Sequence, residues 1–211
     1  MSIKNISVFC GAHLGNNPIY ASEAKKVAEV IVEKGMNVVF GGGDVGLMGV
    51  VSHTAIDNGG EVLGISLQSL YELELTNPRI QEVVVAQTLL ERKDIFMQRS
   101  DAFIVLPGGV GSLDELAEVM CSNQLGIINK PIGILNTNGY YDHLLAWMKK
   151  AVEEGDEETA ILAAKEQIIS ATDMILETLE QTKAQIESND DLIEEDVELA
   201  LAELAEKEII V

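Results

Sequence analysis

Two periods of apolar and polar residues alternate along this chain. Short unbroken apolar runs have the length and β-branched content of buried strands: "ISVFC" (6–10), "NVVF" (37–40), "EVLGIS" (61–66), "EVVVA" (82–86), "DAFIVL" (101–106) and "PIGILN" (131–136). After most of them comes a longer stretch with apolar residues at helical spacing, over 18–34, 46–58, 88–99, about 112 to 125, and 140–154. Gly35 stops the first of these, and Asn58-Gly59-Gly60 stops the second. Residues 67–80 keep neither period and are expected to be irregular. A weaker unit, "QIIS" (167–170), precedes a helix that begins at Thr172-Asp173. Strands that alternate with helices require crossover connections. The expected fold is therefore α/β, a doubly wound Rossmann-like parallel sheet with helices on both faces.

The last stretch, 187–211, differs in kind. Ile193, Val197, Ala200, Leu201 and Leu204 recur at helical spacing among ten acids and a single Lys207. It reads as an acidic amphipathic helix or a partly disordered appendage to a Rossmann-like domain of residues 1–186.

Charge narrows the partners. The 211 residues hold 35 Asp and Glu against 14 Lys and Arg, a formal net charge of −21. Such a chain repels nucleic acid and anionic membranes, so neither is an expected partner. Hydrophobic residues make up 47% of the chain, enough for a full core, yet no apolar run approaches the ~20 residues of a membrane span. Residues 1–5 lead straight into a strand with no leader pattern, and a cytoplasmic protein is expected. Cys10 and Cys121 are far apart and suggest neither a disulfide nor a zinc site. His53 and His143 fall within helical patterns, and no His, Cys or Asp cluster has ligand spacing. No metal and no cofactor are expected.

Candidate chemistry gathers at strand ends. In open α/β sheets, ligands bind beyond the carboxyl ends of the strands. Three of those ends carry glycine turns: Cys10-Gly11-Ala12-His13-Leu14-Gly15, Gly41-Gly42-Gly43-Asp44-Val45-Gly46, and Gly108-Gly109-Val110-Gly111. Glycine allows close backbone approach, and a helix N-terminus offers free N–H groups to phosphate. The second turn matches the dinucleotide fingerprint G-x-G-x-x-G. However, it belongs to the second strand–helix unit, and the next strand ends at Ser66 rather than an acid, so a dinucleotide is disfavoured. Turns needed only for packing would explain one such loop. Three on one edge favour a mononucleotide or sugar phosphate. Arg92, Lys93 and Arg99 lie in the helix before the strand that carries the third loop. They are either a solvated face paired with Glu91 and Asp94 or part of a site for an anion. Ser112-Leu113-Asp114-Glu115 is S-x-x-E, a capping-box pattern. On those four residues alone a helix cap is favoured over a catalytic carboxylate.

Together these motifs resemble the LOG ("lonely guy") family, phosphoribohydrolases of cytokinin riboside 5′-monophosphates long mislabelled as lysine decarboxylases. The family pattern PGGxGTxxE stands here as Pro107 to Glu115, and GGGxxGLMG as Gly41 to Gly49. The Arg-Lys pair stands as Arg92-Lys93, Glu-Leu-Thr as Glu74-Leu75-Thr76, and the Gly-Tyr-Tyr stretch as "NKPIGILNTNGYY" (129–141). The resemblance spans about 3–155, continues weakly to about 185, and leaves the acidic tail outside. It implies hydrolysis of the N-glycosidic bond of a nucleoside 5′-monophosphate, AMP or an N6-modified relative, by a homodimer. It also implies catalytic roles for Glu115 and Arg92. Nucleotide contacts follow for Glu74, Lys93, Gly108, Gly109, Val110, Gly111 and Ser112, with Gly43, Gly11 and His13 on the other turns. The sequence departs from the family where Ala12-His13 replaces the usual two serines and Ser112 replaces Thr. A non-catalytic nucleotide sensor or carrier on the same fold is the alternative. A pure binder, though, has no need of a carboxylate beside the sugar.

Overall fold

The computed structural model describes residues 3–72, 76–154 and 166–169. Among the described residues, seven parallel strands form one sheet: β1 (Asn5–Phe9), β2 (Asn37–Phe40), β3 (Val62–Leu67), β4 (Glu82–Ala86), β5 (Ala102–Val105), β6 (Ile132–Leu135) and β7 (Glu166–Ile169). Their spatial order is β4-β3-β2-β1-β5-β6-β7. The chain starts at β1, moves outward to β4, and then returns to the other side of β1. The strand order therefore reverses between β1 and β5, which opens a crevice at their carboxyl ends.

Central strands of a parallel sheet are covered on both faces, which is why they read as continuous apolar runs. On one face α1 (Ile19–Glu33) and α2 (Gly46–Asp57) pack Ala24, Val27, Ile31, Leu47 and Val51 against Ile6, Val8, Val38, Phe40 and Ile104. On the other, α4 (Leu89–Arg99), α5 (Val110–Gln124) and α6 (Asp142–Glu153) pack Phe96, Leu116, Val119, Leu145 and Met148 against Phe9, Ile65, Phe103 and Ile134. Expected helices on both faces are thus found. Within the segment read as irregular, a single helical turn, α3 (Gln68–Tyr71), follows β3.

One local reading is corrected. Helix α5 begins at Val110, not near 112, and its N-cap is Gly109 in an extended conformation. Ser112 is therefore the third helical residue and Glu115 lies in the second turn, out of reach of any capping role. A T-x-x-E cap does exist one helix earlier. Thr88 Oγ1 accepts from the Glu91 amide at 3.1 Å, and the Glu91 carboxylate accepts from the Gln87 amide at 2.7 Å.

Candidate active site

The three glycine turns meet at the crevice. Gly11 N–H donates to the Pro107 carbonyl at 3.0 Å, and the Gly11 carbonyl accepts from Leu47 N–H at 3.0 Å. The first loop is thereby bonded to both others. Gly46, at φ +58°, packs against Ala12 and His13 so closely that any Cβ would run into their backbone. A Cβ on Gly108 would run into the Ser112 hydroxyl, while Gly109 and Gly111 have nothing within 4 Å of theirs. Those two glycines open the start of α5 to the crevice. The first helical N–H groups, with the positive end of the helix dipole behind them, face that opening.

A cavity of about 480 Å³ occupies the crevice. Its walls include Gly11, His13 and Tyr20, the loop from Gly108 through Ser112, and Tyr140, with Leu47 and Met48 adding apolar surface. Arg92 and Glu115 line it together.

The two form a buried ion pair. Arg92 Nη1 donates to Glu115 Oε1 at 2.8 Å, and the two side chains are only 12% and 11% exposed. Arg92 is fixed at two further points. Its Nε donates to the Ile65 carbonyl at 2.8 Å, and its guanidinium carbon lies 5.0 Å from the centroid of the Phe96 ring. Burial lifts the Glu115 carboxyl above its ordinary value of 4.5, with the Arg92 charge and hydrogen bond pulling the other way. Cys10 is buried beside it, and burial first, then the Glu115 charge, pushes the thiol up. A carboxylate held in a dry crevice by one guanidinium is a stronger base than one in water. It can also stabilise positive charge that develops next to it.

Other site residues read from the sequence separate into those that meet in the crevice and those that do not. Gly11, His13, Gly108, Gly109, Val110, Gly111 and Ser112 line the cavity with Arg92 and Glu115. Lys93 is not among the lining residues; its ammonium sits between Asp114 at 3.0 Å and Glu118 at 2.7 Å on α5. Gly43 is also outside the lining and bridges to Thr76 as an isolated antiparallel pair. Arg99 pairs with Glu82 at 2.8 Å, away from Arg92. Glu91 and Asp94, the partners on the alternative of a solvated helix face, accept from Gln87 and Gln98. Glu74 lies outside the described residues. Tyr140, given no role in the sequence, closes one wall. Its hydroxyl donates to the Gly108 carbonyl at 2.7 Å, and its ring meets Tyr20 edge-on at 5.6 Å. Next to it, the Tyr141 hydroxyl donates to the Leu106 carbonyl at 2.8 Å.

A family model described as possible lysine decarboxylase matches residues 48–182. A protein of Arabidopsis thaliana named cytokinin riboside 5'-monophosphate phosphoribohydrolase LOG2 is 46% identical over 152 residues, 72% of this chain and 71% of that protein. The chain belongs to the LOG family. A rice relative, named probable cytokinin riboside 5'-monophosphate phosphoribohydrolase LOGL1, is 43% identical over 71% of this chain and 67% of its own length. Among solved structures, the molybdenum cofactor binding protein of Rippkaea orientalis superposes with a TM-score of 0.65 over 88% of this chain and 99% of that one. At 22% identity, that likeness is one of fold. The same α/β architecture thus serves both LOG chains and a cofactor-binding protein, and the crevice rather than the sheet has to distinguish them.

Proposed function

We propose that this LOG-family chain hydrolyses the N-glycosidic bond of a purine nucleoside 5′-monophosphate, AMP or an N6-modified relative, to free base and ribose 5-phosphate. The observation that carries the reading is the buried Arg92–Glu115 pair, 2.8 Å apart, on the wall of a cavity that also takes in the start of α5. The α5 N–H groups and the hydroxyl of Ser112 hold the 5′-phosphate, with His13 at its rim, where the usual family turn offers serines. This leaves the ribose over Glu115 and the base against the apolar side of the cavity.

In the reaction the bond between C1′ and the base nitrogen breaks, and its electron pair leaves with the base. Positive charge grows on C1′ and the ring oxygen, and the Glu115 carboxylate stabilises it. Water then adds at C1′ and gives up a proton, for which Glu115 is the nearest base; the departing base takes up a proton in turn. Arg92 keeps Glu115 oriented and ionised against the desolvation that favours its neutral form.

Incubation with AMP and with an N6-alkyl AMP, followed by chromatography of free base, tests the reading. Nucleotide bound without release of base would favour the carrier instead.

The same reading includes a homodimer in the cytoplasm, with residues 1–186 as the catalytic unit and 187–211 as an appendage. Leu89, Leu90, Val110 and Leu113 support the dimer: all are exposed at the starts of α4 and α5. A monomeric mass by light scattering at assay concentration would count against it. The free thiols of Cys10 and Cys121 suit a reducing compartment. Lys93 acts through Asp114 and Glu118, stiffening α4 against α5. By resemblance, Glu74 and the Gly43 turn complete the nucleotide contacts.

A further inference from the structure

Glycine at position 41 has a use other than backbone approach to a ligand. It follows the last residue of β2, Phe40, and a Cβ built on it would lie 2.6 Å from Arg92 Nη2 and 3.0 Å from Met48 Sδ. Ordinary contact begins at 3.4 Å. The guanidinium thus occupies the space that any other residue's side chain would take. No special backbone conformation explains the glycine here, because Gly41 is not among the residues with positive φ.

We propose that Gly41 is a positioning residue for the Arg92–Glu115 pair, its missing side chain setting how far the guanidinium reaches toward the carboxylate. This rests on the reading of that pair as catalytic. Arg92 has little freedom to absorb a methyl. Its Nε is tied to the Ile65 carbonyl, and Phe96, fully buried, backs the plane of the guanidinium. A methyl at position 41 pushes on Nη2, the guanidinium pivots about its Nε bond, and Nη1 swings off Glu115 Oε1. Met48, the other neighbour, is flexible and can move aside, so the fold tolerates the change better than the pair does.

The groups that act on Glu115 are few. Arg92 and Lys93 reach it from α4, Asp114 from its own helix, and Cys10 from the end of β1. His13 and Tyr140 share its cavity. Of these, Arg92 is the largest influence that favours the carboxylate form. Withdrawing its hydrogen bond therefore moves the titration of Glu115 to higher pH.

The test is the titration of the Glu115 side-chain carboxyl by NMR on the free protein with ¹³C-labelled glutamate, the resonance being assigned with Glu115→Gln. In Gly41→Ala the midpoint rises. The acid limb of the turnover profile rises with it, and kcat near neutral pH falls by about a hundredfold while KM changes little. In an Arg92→Ala background, adding Gly41→Ala moves the midpoint no further. An unchanged midpoint in Gly41→Ala would overturn the proposal, as would an equal rise with and without Arg92. Should Gly41→Ala fail to fold, the comparison moves to the Arg92→Ala background, where the contact at 2.6 Å is gone and only flexible Met48 is left: there Gly41→Ala should add no loss of stability in urea to that of Arg92→Ala alone, and a further loss would overturn the proposal. The NMR readout needs no turnover. If Glu115→Gln releases base at the wild-type rate while Gly41→Ala still moves the midpoint, the catalytic reading falls and the positioning stands.

Discussion

Glu115→Gln separates chemistry from stability more cleanly than any other change in the crevice. The amide keeps the size of the side chain, and its carbonyl can still accept from Arg92. What disappears is the charge. At 2.8 Å the attraction between the two ions is about 6 kcal/mol at an effective dielectric near 20. Desolvating them costs several kcal/mol each. The balance tilts toward desolvation, because the Glu115 carboxyl titrates above its ordinary 4.5 with Arg92 present. The sign follows from linkage. A group whose folded pKa is raised contributes stability that is full below the unfolded value of 4.5 and is lost as pH rises through the folded value. The wild type carries that loss at neutral pH, and the Gln variant does not. Glu115→Gln should therefore be within about 1 kcal/mol of the wild type and no less stable at neutral pH. Turnover should fall by at least about a hundredfold, equivalent to about 2.7 kcal/mol of transition-state stabilisation. Urea denaturation at acid and neutral pH, with base release measured on the same preparation, gives both quantities. A variant that is clearly destabilised at neutral pH yet turns over normally would refute the reasoning and reduce Glu115 to a structural partner of Arg92.

Arg92→Ala should be the harsher change. It leaves Glu115 buried without its cation, at a cost of about 3 kcal/mol at neutral pH, and urea denaturation should show the deficit shrinking as acid neutralises the carboxylate. Turnover by this variant should fall at least as far as in Glu115→Gln, and a wild-type rate in the folded variant would count against the site. Tyr140→Phe removes the hydrogen bond to the Gly108 carbonyl, and melting should register less than about 1 kcal/mol. The loop at Gly108, proposed to hold the phosphate, is then less well held, so KM for the nucleotide should rise more than kcat falls; an unchanged KM would mean that the loop holds itself. Truncation after Ile186 should leave base release intact, and loss of activity in a folded truncate would give the acidic segment a part in the site.

Strands were the most legible part of the sequence. β2 and β4 run over the residues of their apolar runs: β2, covered on both faces, needs an unbroken apolar sequence, and β4, half-buried at the sheet edge, is marked by its three consecutive valines. The start of α5 was less so. Ser112-x-x-Glu115 has the spacing of a cap, but the same spacing occurs inside any helix, and only the extended backbone of Gly109 fixes where the helix begins. Lys93 adjoins Arg92 in sequence, yet consecutive helical residues point about 100° apart, and the carboxylates of Asp114 and Glu118 were waiting on that side. No local signal marks which helix face will meet an acidic neighbour. Tyr140 could have been found. It stands in a Gly-Tyr-Tyr stretch that the resemblance singled out, and a polar-tipped aromatic just past a strand's carboxyl end is well placed to line a crevice.

The cavity carries almost no net charge of its own. Arg92 is the one Lys or Arg lining it among the described residues, and Glu115 already neutralises it. Attraction for a phosphate then comes from backbone dipoles, which act only at contact. At long range an incoming anion meets the whole chain, and that field is repulsive at −21. For most sites that take anions, added salt slows encounter by hiding a favourable field. Here it would hide an unfavourable one, so capture of a nucleotide should quicken as ionic strength rises toward the regime where the screening length is ~8 Å. Once seated, the ligand should leave at a rate nearly indifferent to salt, since the contacts that hold it are dipolar and sheltered from the solvent ions.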